Sequence, residues 1–159
     1  METEYQELKN IPGIKFVDHV AIAVHQGELD AQVRAYELLG FREIHREEVL
    51  GTDQVREVLL QIGDGPNLLQ LLEPLTPDSP IEKTMVRNGG HGGLSHIAFR
   101  VSNAQRAFDA MKAAGFNIID AAPRLGSRGT TVFFVHPKSR AEAPFGVLIE
   151  IVEDPQGKG

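Results

Sequence analysis

The chain has no cysteine, which excludes disulfides, zinc–thiolate sites and thiol nucleophiles together and suits a reducing compartment. Ligands for any metal must then be His, Asp, Glu or Gln. A surplus of basic charge is also absent: 16 Lys and Arg against 22 Asp and Glu leave a net charge of −6. Nucleic acid and anionic membrane are therefore not expected partners, and an anionic ligand must be met by local cations. No apolar run approaches the roughly 18 residues of a membrane span. The first ten residues, METEYQELKN, are acidic and polar where a secretory leader would carry a basic and then an apolar segment. The expectation is a cytoplasmic protein. What is present is ordinary for a globular chain: 159 residues, 42% hydrophobic and 24% charged, enough for one domain or for two fused halves of about 80 residues.

The chain reads as a sequence written twice. VDHVAIAV (Val17 to Val24) lies over LSHIAFRV (Leu94 to Val101), which superposes His19 on His96. Each segment is followed by a helical pattern that stops at Gly-Phe: Leu29, Val33, Tyr36 and Leu39 before Gly40, and Ala104, Ala107, Phe108 and Met111 before Gly115. Each half ends in an apolar strand closed by acid, LLQLLEP and GVLIEIVE, which pairs Gln70 with Glu150. Between helix and closing strand lie REIHREEV and QVREVLLQI in the first half, NIIDAAPRL and TTVFFVHP in the second. The prediction is an α+β fold of two tandem βαβββ modules, about residues 14–75 and 94–154, within a single domain spanning residues 1–159. The linker, 76–93, holds a short helix from about Ile81 to Val86 and a glycine-rich loop, GGHGG. That loop lacks the lysine and the strand-to-helix context of a phosphate-binding loop.

Strand alternation separates the faces. His19, Ala21 and Ala23 look one way, and Val20, Ile22 and Val24 the other; His96 and Ala98 repeat this against Ile97, Phe99 and Val101. The bulky face suits a helix, which leaves each histidine among small neighbours with room for a ligand. Gln70 and Glu150 are each hemmed by branched apolar residues, and a carboxylate there is costly unless paired, hydrogen-bonded or metal-bound. A solvent-facing Glu150 is the alternative. Repeat symmetry thus assembles His19, Gln70, His96 and Glu150 into a site for a divalent first-row ion such as cobalt, zinc, nickel or manganese. Glu57 shares its strand face with Val55, Leu59 and Gln61; it is either an inward carboxylate whose burial suits it to act as a general base or an exposed residue on an edge strand beside Arg56. His25, His45, His91 and His136 have no repeat partners and are expected to be surface or structural residues.

DHVAIAV, LLQLLEPLTPDSPIEK, GGLSHIAFRV, PRLGSRGTTVFFVHPK and GVLIEIVE, in that order and over nearly the whole chain, resemble the methylmalonyl-CoA epimerase family of the vicinal oxygen chelate (glyoxalase/bleomycin resistance) superfamily. The resemblance implies a cupped mixed sheet around one divalent metal, commonly cobalt, with zinc, nickel, manganese or magnesium as alternatives, and a homodimer as the assembly. It places the metal on His19, Gln70, His96 and Glu150. The implied activity is that of an isomerase interconverting (2R)- and (2S)-methylmalonyl-CoA by 1,1-proton transfer through a metal-stabilised enolate. It points to Glu57 and Glu150 as the opposed bases.

Two features depart from the family pattern. Ser95 stands where the family usually has a histidine; alternation is expected to turn it away from His96, leaving the metal untouched while either the hydrogen bonding that orients its ligands or the fit of the substrate changes. The loop SRAEAPFG (Ser139 to Gly146) is longer than the family's usual link. Both motivate alternatives: an epimerase of ethylmalonyl-CoA or of a polyketide intermediate, or a glyoxalase-type isomerase or lyase on a related fold. An iron dioxygenase typically uses two His and one Glu, and Gln70 as a fourth ligand speaks against it. A non-catalytic binder would lack the ligand set. Arg124, Arg128, Lys138 and Arg140 are either the cations that meet the coenzyme A phosphates or a solvated basic patch.

Overall fold

The computed structural model describes residues 9–139 and 144–155. Its elements follow in the order β1 (Ile14–Ala23), α1 (Leu29–Glu37), β2 (Arg42–Val49), β3 (Val55–Gln61), β4 (Leu68–Pro74), α2 (Pro80–Arg87), β5 (Gly93–Val101), α3 (Ala104–Ala113), β6 (Arg124–Leu125), β7 (Thr131–Val135) and β8 (Leu148–Glu153). The βαβββ order expected from the repeat is present twice, with α2 between. The strands are ordered β2-β3-β4-β1-β5-β8-β7-β6 in one sheet. It is mixed, because β1 pairs parallel with β4 while β3 is antiparallel to both β2 and β4. Two compact units divide the chain: one runs from His19 to His96, the other joins the described residues before His19 to those after His96. Strands β1 and β5 run through both. Among the described residues no helix is long and apolar enough to cross a membrane.

In the His19–His96 unit, Leu29 and Val33 of α1 pack with Val24, Val58, Leu60 and Leu71, and Ile22, Leu69, Tyr36 and Phe41 close around them. Each such buried side chain contributes about 1.5–3 kcal/mol. Because neighbours in a strand alternate, this set fixes the helix-facing side of β1, β3 and β4. His19, Ala21, Val55, Glu57, Leu59, Gln70 and Leu72 are left on the other side. There Ala21, Val55 and Leu72 pack with Val49 and with Ile81 of α2. Helix α2 begins at Pro80, one residue before the expected Ile81, with the Ser79 side chain accepting the Ile81 N–H at 3.3 Å and proline at the first helical position. Gly92 passes so close to the Ala23 carbonyl that a Cβ would stand 2.5 Å from its oxygen, which is why the linker ends in glycine.

The other unit repeats the arrangement. Ala104, Ala107, Phe108 and Met111 of α3 pack with Val101, Phe133, Val135, Ile149 and Ile151, and the Phe108 ring meets Phe133 edge-on at 5.3 Å. The reverse side carries Ala98, Val132 and Val152.

The acids that close the two halves cap the two helices. Glu73 Oε2 accepts the N–H groups of Gly27 and Leu29 at 2.9 and 3.0 Å, and Glu73 Oε1 takes Arg56 at 3.0 Å. Glu153 Oε1 accepts the N–H of Ala104 at 2.8 Å. A carboxylate at a helix N-terminus satisfies free amides and faces the positive end of the dipole. Helix α1 has no side-chain cap of its own, so Glu73→Ala is expected to lower the unfolding free energy by about 2 kcal/mol, the buried Leu29 amide losing its acceptor at roughly 1–3 kcal/mol and the part-buried Gly27 amide, which water can reach, losing less. Urea titration measures it, and a loss under about 1 kcal/mol, the size of an ordinary cap, would show that the bonds are replaced on substitution.

One predicted strand is largely missing. NIIDAAPRL forms a single bridge, Ile118 to Val135, and the two residues of β6. The Asp120 carboxylate accepts the Phe134 N–H at 2.7 Å and the Arg124 guanidinium at 3.0 Å, and Pro123 has no N–H to donate. A side chain thus takes a donor that a continuing ladder would have used.

Candidate metal centre

His19 stands on β1 and His96 on β5, both buried, with their Nε2 atoms 3.3 Å apart and their rings steeply inclined at 76°. Two imidazoles that turn the same ring nitrogen toward one point are positioned to share a ligand there. The alternation that sends Val24 and Ile22 to α1 is what turns His19 to the opposite side of the sheet.

Gln70 lies opposite Ala21 in the β1–β4 pairing, two residues from His19 on the same side. It is buried, and its amide Nε2 donates to Glu57 Oε1. A carboxylate only accepts, so this bond fixes which end of the amide is which. Among the described residues Gln70 Oε1 is left buried with no hydrogen-bond partner, a costly position for an acceptor unless a cation or donor meets it. Two imidazole nitrogens and an amide oxygen are a donor set that fits a divalent first-row ion.

Glu57 belongs to β3 and pairs with Leu72 of β4. Only 1% of its surface is exposed, which settles the choice left open by its sequence pattern: it faces inward. Glu150 is also buried, on β8 opposite Phe134 of β7, on the side away from α3. It lies in the unit formed by the chain ends, on the strand whose Glu153 caps α3.

Ser95 departs from expectation. Alternation predicts that it turns away from His96, yet its Oγ lies 3.3 Å from His96 Nδ1. Nδ1 is the ring nitrogen nearest the backbone, and the adjacent short side chain reaches it across the pleat. A proton on Nδ1 shared with Ser95 leaves the lone pair on Nε2, the nitrogen that faces His19.

His45 was expected to be a surface or structural residue; its Nε2 bonds Glu47 Oε1 at 2.7 Å. One ligand atom each from His45, Glu47 and Glu57 lies within 4.8 Å of the others. The repeat has no counterpart for it, and the signal that would have found it is the facing of Glu47 and Glu57 once β2 and β3 are paired. Among the expected cations, Arg124 is engaged with Asp120 and stands 5.5 Å over the Phe134 ring, and Arg140 lies outside the described residues, as does the centre of the Ser139 to Gly146 loop.

Residues 18–134 match the family model of the Glyoxalase/Bleomycin resistance protein/Dioxygenase superfamily. Among curated proteins, the mitochondrial methylmalonyl-CoA epimerase of Dictyostelium discoideum is 38% identical over 150 residues, covering 89% of this chain and 80% of the relative. The ethylmalonyl-CoA/methylmalonyl-CoA epimerase of Cereibacter sphaeroides is 32% identical over 124 residues, 77% of this chain and 88% of the relative. A variant of the Streptomyces coelicolor methylmalonyl-CoA epimerase, solved in complex with 2-nitronate-propionyl-CoA, superposes with a TM-score of 0.78 at 35% identity over 89% of this chain and 99% of that one. Within the superfamily, the chain belongs to the methylmalonyl-CoA epimerase family, whose members are isomerases acting on an acyl-CoA.

Proposed function

We propose that this protein interconverts (2R)- and (2S)-methylmalonyl-CoA, holding one divalent ion on His19, Gln70, His96 and Glu150. The observation that carries the reading is the buried Gln70 amide, its nitrogen held by Glu57 and its oxygen left for a cation, on the sheet face that also presents the two convergent imidazoles. Glu150 joins the set as the repeat equivalent of Gln70, and it is buried on the corresponding face of β8. Cobalt is the metal that the resemblance favours, and a homodimer the assembly.

When bound, such an ion supplies Lewis-acid charge to the thioester and carboxylate oxygens that flank the α-carbon. The work of this chain's own residues is to carry the proton. Glu57 takes the α-proton from one face, its carboxylate gaining an O–H as the C–H bond breaks and the electron pair passes into the enolate. A carboxyl group on the other face, that of Glu150, returns a proton to the same carbon. Burial of both glutamates excludes bulk water from the reacting carbon, so that protonation is governed by where the two acids stand. Ser95 Oγ is placed to accept a hydrogen bond from the proton that His96 carries on Nδ1 when Nε2 serves as the ligand.

The test is α-proton exchange. Metal-loaded protein incubated with racemic methylmalonyl-CoA in deuterated water is expected to replace the α-proton by deuterium, followed by NMR, and chelation is expected to stop it. Ethylmalonyl-CoA belongs in the same assay, because the Cereibacter sphaeroides relative carries both substrates in its name. Absence of exchange on either thioester, with metal bound, would overturn the epimerase reading.

A further inference from the structure

We propose that His45 and Glu47 form a proton path between Glu57 and solvent, and that this path resets the base after each turnover. The proposal rests on the epimerase reading and adds to it. A two-base epimerase ends a turnover with one carboxyl holding the proton it took and the other lacking the proton it gave. Before the same direction can run again, the first must lose a proton and the second regain one. Glu57 is only 1% exposed and cannot make that exchange with bulk water directly.

The geometry of β2 supplies the route. Glu47 stands directly opposite Glu57 in the β2–β3 register. His45 Nε2 bonds Glu47 Oε1 at 2.7 Å, and the two side chains are 30% and 32% exposed. The ligand atoms of the three residues lie within 4.8 Å of one another, a separation that one bridging water spans. The series therefore runs from a buried carboxylate to an imidazole in contact with solvent, and imidazole is the side chain suited to passing protons near neutral pH.

A register shift in β2 aims the histidine. Glu43 pairs with Leu60, a residue of the α1 side, and bonds Arg46, which in turn reaches Asp30 of α1 at 2.9 Å. Regular alternation from Glu43 would put His45 on that helix side as well. The shift between Glu43 and His45, with Ile44 as the extra residue, pairs His45 with Leu59 instead and turns it to the face that carries Glu57. Bulges are a common means of re-aiming a side chain beside an active site. In each cycle the proton passes from the Glu57 O–H to the Glu47 carboxylate, from Glu47 to His45 Nε2, and from the imidazolium to water or buffer; reversal reprotonates Glu57. No redox step or co-reactant is involved.

The test compares wild type, His45→Gln and Glu47→Gln as metal-loaded enzymes in weak and in imidazole-containing buffer. Both variants are expected to keep metal content and KM and to lose about tenfold in kcat in weak buffer, a fraction of the ~10²–10⁴ that a general acid–base group contributes. Added imidazole is expected to restore most of the His45→Gln loss, which a merely structural role would not produce. A wild-type kcat for His45→Gln in weak buffer, or a loss that imidazole leaves unchanged, overturns the path. Wild-type exchange in Glu57→Gln is a separate result: it removes Glu57 as the base and the path with it.

Discussion

Glu57→Gln is expected to retain its metal and to lose α-proton exchange by on the order of 10²–10⁴-fold, the range a positioned general base contributes. The substitution is isosteric and keeps an oxygen where Gln70 Nε2 now donates, so the Gln70 amide holds its orientation and its Oε1 keeps the position from which it could meet a cation. What is lost is a group that can gain a proton. Metal analysis and NMR exchange on one preparation separate the two effects. Exchange at the wild-type rate would rule Glu57 out as a base, whereas loss of metal together with exchange would make Glu57 a holder of Gln70 rather than the acid–base group.

Much of this site was legible because the repeat is written in side chains that strands display at fixed intervals. His19 and His96 occupy equal places in equal strands, and period-two alternation puts both opposite the helices. Gln70 and Glu150 follow by the same reasoning, as do the segments of α1, α3 and the closing strands. Alternation failed where a side chain acts along the strand instead of across it. Ser95 reaches Nδ1 of its own neighbour, a contact that depends on ring rotation and not on pleat parity. Asp120 takes the Phe134 N–H that a continued ladder would have used, so a segment with strand composition leaves the sheet. His45 was missed for a third reason: a one-residue register shift inverts the face of everything before it, and no composition marks Ile44 as the extra residue. The acids at Glu73 and Glu153 were visible as a repeated ending. Their purpose appears only when the strand end and the helix start are brought together, because the donors they satisfy belong to a segment distant in sequence.

His96→Ala is expected to be isolated without stoichiometric metal and without α-proton exchange. The β5 backbone pairing does not depend on the imidazole, and the residues that pack under α3 from this strand, Ile97, Phe99 and Val101, are its neighbours on the other face, so circular dichroism should report a folded chain. What disappears is one of the two nitrogens that converge at 3.3 Å. Losing an outer hydrogen-bond partner of a ligand costs about 10–100-fold in metal affinity, and losing the ligand must exceed that. Titration calorimetry with cobalt and zinc, alongside elemental analysis of the purified protein, reads the loss independently of any turnover assay. The outcome also bears on Gln70: with one imidazole gone, an amide oxygen and a single remaining histidine of the same unit cannot hold a first-row ion at ordinary concentrations unless Glu150 supplies most of the binding. Stoichiometric metal in His96→Ala would sink the four-ligand assignment and move the ion elsewhere. Metal loss with retained exchange would leave the ligands in place and show that Glu57 removes the proton without Lewis-acid help.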